Sequence, residues 1–542
     1  MNHFTSRTDG RTLEIGGDMA DRALAELGGT TDLREGIGAV LDADTSDEIY
    51  VAGTWRRGTG AIIESVDPST GRVFATLHGA VESDVDDAVA AGARAARESG
   101  WATMLPHERA AVLHRIGDLV DANAERIAIL QTTDTGKTLT ETRALAHSAA
   151  GTFRFMAAAL ETMEQAVTPS RGPYVTIATY EPMGVVGAIT PWNSPIASDA
   201  QKIAPALAAG NAVVAKPPVW APWVTLLLAR LCEEAGLPAG LLSVLPGPGR
   251  TVGDALARHS GVAKLSFTGG TETGRALAHV AAEKIMPITL ELGGKSPTIV
   301  FDDADLDQTV AGILFGIFSS SGQSCIAGSR IFVQRSVYDQ VVGRLVEAAK
   351  ALRLGPGTDP RTQVAPMITF AHRDGVAATV EAAVADGAHV LCGGAIPAAP
   401  ELADGAYYEP TILAGVDNSA RICQEEIFGP VAIVLPFDDE DDLVAQANDT
   451  VFGLACGIWT ADYRRAWRIA KAVQAGTVWV NTYKQFSIST PFSGLKDSGM
   501  GTEKGRDGIR SYMNQKSIYF DVSGAPLPWA GSAPARNREE RP

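Results

Sequence analysis

Cys325 is the residue of this chain best placed by its neighbours for nucleophilic chemistry. It lies in Ser321-Gly322-Gln323-Ser324-Cys325-Ile326-Ala327-Gly328, at the end of an expected helix, where small side chains leave a thiol approachable. A lone thiol is more often a buried structural group, so partners are needed. Glu291 opens Glu-Leu-Gly-Gly-Lys (291–295) at the end of an apolar strand. A carboxylate leaving a strand beside two glycines can face a cleft, where partial loss of water raises its pKa and suits a general base. In isolation, a solvated strand end is the commoner fate of such a glutamate. Asn193 sits in Thr190-Pro191-Trp192-Asn193-Ser194-Pro195. Its amide offers N–H donors to an oxyanion without adding charge, although Asn between prolines is more often a turn residue.

A second set of residues has the chemistry of phosphate and sugar binding. Phe267-Thr268-Gly269-Gly270-Thr271-Glu272-Thr273-Gly274 runs from a strand into a helix, where glycines let a phosphate reach backbone N–H groups. Gly247-Pro248-Gly249-Arg250-Thr251-Val252-Gly253 also follows a strand, and spacing alone does not choose between the two loops. Lys216, in Ala215-Lys216-Pro217, ends a strand at the carboxyl edge where open parallel sheets bind ligands. Glu425-Glu426-Ile427-Phe428-Gly429-Pro430 offers hydroxyl acceptors and an apolar platform, or simply a solvated turn. No G-x-x-x-x-G-K-[ST] loop is present, which lowers the case for an ATPase. The nine histidines form no ligand cluster, the five cysteines have no knuckle spacing, and no metal site is expected.

The elements that must hold these residues alternate along the chain. Strands are expected at 185–189, 212–215, 241–245, 264–267, 289–292 and 298–301, with helices such as 222–235 and 271–282 between them. Long amphipathic helices are expected at 107–132 and 137–164. After Asp305 a second series follows, with helices at 305–320, 336–352, 369–386, 439–449 and 462–473. Its strands are 330–334, 430–435, 454–459 and 476–480. Such alternation predicts two doubly wound parallel α/β layers joined near 290.

The 542 residues suggest two to four structural units at roughly 100–200 residues each. With 45% hydrophobic and 20% charged residues the chain is globular. Its 46 basic and 63 acidic residues give a net charge of −17, which argues against nucleic acid as a partner. Residues 1–48 hold 11 acidic and 4 basic residues and read as a loose acidic extension, with a short helix allowed at 18–27. The odd, scattered cysteines fit a reducing compartment. No apolar run reaches the roughly 18–20 residues of a spanning helix, and no signal peptide is evident, so the cytoplasm is the expected location.

Each signal is weak singly, but their order is informative. Pro-Trp-Asn (191–193), Ala-Lys-Pro (215–217), Phe-Thr-Gly (267–269), Glu-Leu-Gly-Gly-Lys (291–295), Gly-Gln-Ser-Cys (322–325), Glu-Ile-Phe-Gly-Pro (426–430) and Pro-Phe-Ser-Gly-Leu-Lys-Asp-Ser-Gly (491–499) occur in sequence. This order resembles the aldehyde dehydrogenase superfamily from about Ile49 to Phe520. The resemblance implies that Cys325 attacks an aldehyde, Asn193 steadies the oxyanion and Glu291 activates water to release a carboxylic acid. It implies a cofactor, NAD with NADP possible, held by Trp192, Lys216, Thr268, Gly269, Gly270, Gly274, Leu292, Glu426 and Phe428. Family members that make acyl-CoA usually lack a glutamate at the position of Glu291, so hydrolysis to the free acid is expected. A cofactor-independent thioesterase using Cys325 and Glu291 is the alternative that those motifs argue against.

Departures from the family pattern are specific. Val219 stands where many NAD-preferring members carry Glu, Gly270 where Ser is usual, Ser493 for Gly and Thr502 for Arg. Loss of the carboxylate at 219 admits NADP, although Trp220, Ala221 and Pro222 offer no compensating base. Trp192, Phe486 and Phe492 resemble an aromatic substrate funnel; Lys484 nearby either meets an anionic substrate tail or, as is commoner for lysine and expected here, faces solvent. The resemblance divides the chain into a cofactor-binding domain (49–165 and 185–290), a catalytic domain (291–484), and a β-flap with C-terminal segment (166–184 and 485–522) before a tail (523–542). Tyr174–Tyr180 alternates as an exposed strand with 511–521 as its partner, and such an edge needs covering. A homodimer or homotetramer is therefore expected, with an aldehyde as small-molecule partner and neither nucleic acid nor membrane.

Overall fold

The computed structural model describes residues 45–525. The expected helix at 18–27 and most of both terminal extensions lie outside them. Two large sheets carry the molecule. In the first, the parallel strands Val185–Ile189, Ala212–Lys216, Leu242–Val244, Val262–Thr268 and Ile288–Glu291 lie in the spatial order third, second, first, fourth, fifth. Short antiparallel strands extend both edges. Val-Val-Gly-Ala-Ile (185–189) and Ala-Val-Val-Ala-Lys (212–216) are buried at every residue, as strands covered by helices on both faces must be.

The first and fourth strands are neighbours, with Ile189 opposite Phe267. Chain connections depart from this pair in opposite directions, and the divergence opens a crevice at the carboxyl ends of the two strands. The loop carrying Asn193 leaves the first strand there, and the Gly269-Gly270 loop leaves the fourth. Pro195 then starts the helix Pro195–Ala208, its fixed φ suiting the first helical position. Glu291 ends the fifth strand, and after five residues Pro297–Val300 begins the second sheet.

That second sheet contains Pro297–Val300, Arg330–Gln334, Thr411–Ala414, Val431–Phe437, Ala455–Trp459 and Thr477–Val480 in parallel, with His389–Cys392 antiparallel at one edge. Arg330 is fully buried and pins the junction between the sheets. Its guanidinium donates to the Lys295 carbonyl at 2.9 Å, to Asn418 Oδ1 at 2.8 Å and to the Gln446 and Ala447 carbonyls. Hydrogen bonds from a charged donor contribute about 1.5–3 kcal/mol each, so the segment after Glu291 is held from outside its own strand. A third sheet pairs Met513–Asp521 antiparallel with Tyr174–Pro182 along nine residues, with Ala166–Thr168 on the far side.

The expected strand and helix series is present, with boundaries mostly within two residues. The helix expected at 107–132 is two helices, Pro106–Ala122 and Ala124–Thr135, because Asn123 leaves helical geometry and its side chain caps the Leu119 carbonyl. The helix expected to reach 320 stops at Phe318 and is followed by a tight 3₁₀ turn. Among the described residues no helix is long and apolar enough to cross a membrane, and no cluster of His, Cys, Asp and Glu could hold a metal ion.

Candidate active site

The turn before Cys325 is bent against ordinary preference. Ser320 and Ser321 have φ of +56° and +55°, and Gly322 follows at +70°. Left-handed backbone at a non-glycine residue costs on the order of 1–3 kcal/mol and persists only when neighbours impose it. Here Glu141 accepts from Ser320 N at 2.6 Å, and Ser321 Oγ donates to the Ala365 carbonyl at 2.5 Å. Gly322 packs its α-carbon against the Gly429 carbonyl, where a Cβ would overlap backbone. The chain is thereby redirected so that Cys325, half-buried, reaches the wall of a cavity of about 870 Å³.

Asn193 lines the same cavity from the other sheet. Its Nδ2 donates to the Gln323 carbonyl at 3.1 Å, two residues from the thiol. The amide is thus tied across the crevice to the backbone just before the thiol, although Asn193 and Cys325 are 132 positions apart in the chain. Burial, reinforced by the charges of Glu426 and Glu291, pushes the Cys325 thiol up to about 12, while Lys484 opposes the shift.

Glu291 is almost fully buried, and neither carboxylate oxygen has a hydrogen-bond partner among the described residues. Its backbone is fixed on both sides, opposite Thr268 in the sheet and opposite Gly499 of the 491–499 motif. Desolvation raises its carboxyl well above the ordinary range, and the Glu503 charge adds to the rise. Lys202 and Lys504 oppose it. Sequence reasoning did not single out Lys202 or Glu503. They form a buried ion pair at 2.5 Å, with Ser266 Oγ 3.1 Å from Lys202 Nζ. No motif marked Lys202, and Glu503 lies just beyond the C-terminal motif.

Of the nine residues expected to hold a cofactor, eight line the cavity and Gly274 does not. Gly274 lies beneath Leu292, whose methyls occupy the place of a Cβ, so its part is close packing between helix and loop. Gly270 has open space where a Cβ would stand, at the start of the helix Thr271–Lys284. Lys216 is buried, donates to the Pro217 carbonyl at 2.8 Å, and is lowered by burial to about 8. Glu426 Oε1 accepts from Gly294 N at 3.0 Å, and burial lifts its carboxyl to about 7. A glycine cradle at a helix N-terminus, a lysine and a carboxylate around one elongated cavity fit the phosphates and sugars of a dinucleotide. The competing loop is not an alternative site: Gly249, Arg250 and Gly253 line the same cavity as Val219. Arg250 therefore brings a base to this wall that local sequence around Val219 lacked.

The three expected funnel aromatics do not form one group. Trp192 meets Trp220, His372 and Phe428 edge-on at 5.9, 5.6 and 5.3 Å between ring centroids. Phe486 and Phe492 instead pair with each other at 5.6 Å. Lys484 is not simply solvent-facing; it is half-buried and its Nζ donates to Ser319 Oγ at 2.8 Å.

A model of the aldehyde dehydrogenase family matches residues 55–518. A betaine aldehyde dehydrogenase of Cereibacter sphaeroides is 42% identical over 472 residues, covering 87% of this chain and 96% of that protein. One from Bacillus subtilis is 38% identical, covering 90% and 100%. The crystal structure of betaine aldehyde dehydrogenase from Staphylococcus aureus in complex with NAD+ superposes with a TM-score of 0.89 at 35% identity, covering 91% of this chain and 99% of that one.

Proposed function

The chain belongs to the aldehyde dehydrogenase family, and from that premise we propose how its residues oxidise an aldehyde to the free acid. Cys325 Sγ, as thiolate, attacks the carbonyl carbon, and the carbonyl π pair moves onto oxygen. Asn193 Nδ2 and the Cys325 backbone N–H receive that oxyanion. Such a donor contributes about 2.7–4 kcal/mol to lowering the barrier. When bound, NAD supplies the acceptor for the hydride leaving the former carbonyl carbon. A thioester on Cys325 remains. Glu291 takes a proton from water, the hydroxyl adds to the thioester carbon, and the C–S bond breaks to free the thiol and the carboxylate.

The observation that carries this reading is that Cys325 and Asn193 open onto the cavity that bears the dinucleotide cradle, while Glu291, buried and unpaired among the described residues, directly precedes the lining residues Leu292 and Gly293 and its charge is felt by the thiol. A thioesterase would have no use for that cradle. Lys216, the Gly269-Gly270 loop and Glu426 are proposed to hold NAD, and Val219 with Arg250 keeps NADP admissible. The test is a panel of aliphatic, aromatic and charged aldehydes, betaine aldehyde of the relatives' names among them, with each cofactor and NAD(P)H absorbance as readout. NAD(P)H formation in step with acid is expected. Protein that binds a dinucleotide yet oxidises no aldehyde would overturn the reading.

The domain division at 49–165 with 185–290, 291–484, and 166–184 with 485–522 is proposed because most strands of the two large sheets and of the third sheet fall within these ranges, although Gly499–Met500 pairs into the first sheet and Leu495–Lys496 pairs with Phe452–Gly453. A homodimer or homotetramer is proposed from the third sheet, which leaves Val167, Tyr519 and Phe520 more than half exposed. Isolated apolar edges of this kind are normally covered. Sedimentation is expected to give a dimer or tetramer, and a 56.8 kDa species at assay concentration would contradict it. All five cysteines are free, which supports a reducing compartment such as the cytoplasm.

A further inference from the structure

Cys325 faces two different surroundings. One is the cavity already described. The other is a packed group of Ile326, Leu454, Ala455, Trp479, Tyr483 and Phe492, none of which lines that cavity. From this group a row of rings runs outward, Trp479 to Phe486 at 5.6 Å and Phe486 to Phe492 at 5.6 Å. Phe486 is 48% exposed and marks the outer end.

Two π-faces at such a spot would attract a cation. The protein supplies that cation itself. Lys504 Nζ stands 3.9 Å from the Phe486 centroid and 5.3 Å from that of Phe492. Its ammonium has no hydrogen-bond or ion-pair partner among the described residues, since the adjacent Glu503 is spent on Lys202. Its charge is felt by both Cys325 and Glu291. Lys484 adds a second ammonium, 5.9 Å from the Phe315 ring and felt by the same thiol. Two half-buried lysines thus act electrostatically on the nucleophile, against the carboxylates Glu426 and Glu291 that also bear on it.

Resting on the reading of Cys325 as the nucleophile, we propose that Lys504 selects aldehydes bearing a carboxylate at the end remote from the carbonyl. A carboxylate would take the unspent N–H donors of Lys504 in charge-assisted hydrogen bonds. A quaternary ammonium would meet the like charge of Lys504 on the ring faces it needs. Burial lowers Lys504 to about 8 and Lys484 to about 7, and an arriving carboxylate favours the charged form of both.

The test compares succinate and glutarate semialdehydes with butanal and pentanal, their equals in carbon count, and with betaine aldehyde. In the unmodified enzyme, kcat/KM is expected to be about tenfold or more higher for each semialdehyde than for its alkyl counterpart, with betaine aldehyde lowest. In Lys504→Met the semialdehyde-to-alkyl ratio is expected to collapse towards one, mainly through KM, whereas Lys504→Arg keeps most of it. Thermal melts check that both variants fold; if either does not, the ranking by the unmodified enzyme decides. Oxidation of betaine aldehyde or the alkyl aldehydes as efficiently as the semialdehydes would overturn this proposal alone. Oxidation of none of the five would overturn the nucleophile reading and this proposal with it.

Discussion

Cys325→Ala is expected to lower kcat for aldehyde oxidation by a factor on the order of 10⁴ or more while the protein still binds dinucleotide. The alanine removes the atom that forms the covalent bond, and no second nucleophile stands ready. Cys232, Cys392, Cys423 and Cys456 are buried in the cores of the two layers. The backbone of the turn does not depend on the thiol, since Glu141, Ala365 and Gly429 hold Ser320, Ser321 and Gly322. The cradle at Lys216 and Gly270 lies on other elements, so cofactor titration should separate lost chemistry from lost folding. The thiol sits near 12, so in the unliganded protein it is almost wholly protonated at neutral pH. Alkylation of Cys325 by iodoacetamide should then be slow and rise steadily with pH. A Cys325→Ala protein with near-full dehydrogenase activity would remove the sulfur from the mechanism.

The parts of this site that could be read from the sequence are those fixed by local geometry. Gly269-Gly270 marks a strand-to-helix turn, and the alternation around it gives the layered sheet. Glu291 was recognisable as a strand-end carboxylate, but its partners were not. Glu503 is 212 positions away in the chain and Lys202 is 89, and only folding buries them near it. The two glycine loops looked like rivals because spacing cannot report that the crevice at the switch point is bordered by both. Lys484 was misjudged for the same reason. A lysine in a loop is usually solvated, and nothing local announces that Ser319 will accept its hydrogen bond. Trp192, Phe486 and Phe492 share positions that resemble a family funnel, whereas Trp192 packs with Trp220, His372 and Phe428 on the cavity wall and the two phenylalanines pair with each other.

Glu291→Gln is expected to cut the steady-state rate by about 10²–10⁴-fold while leaving a burst of NADH of about one per active site in the first turnover. The substitution keeps the shape of the side chain and removes only the capacity to take a proton. If Glu291 acts on water after hydride departure, attack by Cys325 and the first hydride transfer survive and the thioester accumulates. Stopped-flow absorbance reads the burst, and intact-protein mass spectrometry reads the acyl group on Cys325. The pH dependence follows from the environment. Burial first and the Glu503 charge second hold the Glu291 carboxyl protonated beyond the usual carboxylate range, with Lys202 and Lys504 in opposition. Only the ionised form accepts a proton, so deacylation by the unmodified enzyme should climb as pH rises through that elevated pKa. The glutamine variant should lose this limb and keep whatever dependence the thiol imposes. The absence, among the described residues, of hydrogen-bond partners on either Glu291 oxygen fits this use: a carboxylate locked in a bidentate pair would be ionised but unable to turn towards water. Steady-state turnover by Glu291→Gln within a few-fold of the unmodified rate, with no acyl-enzyme in the spectrum, would show that water is activated by another group.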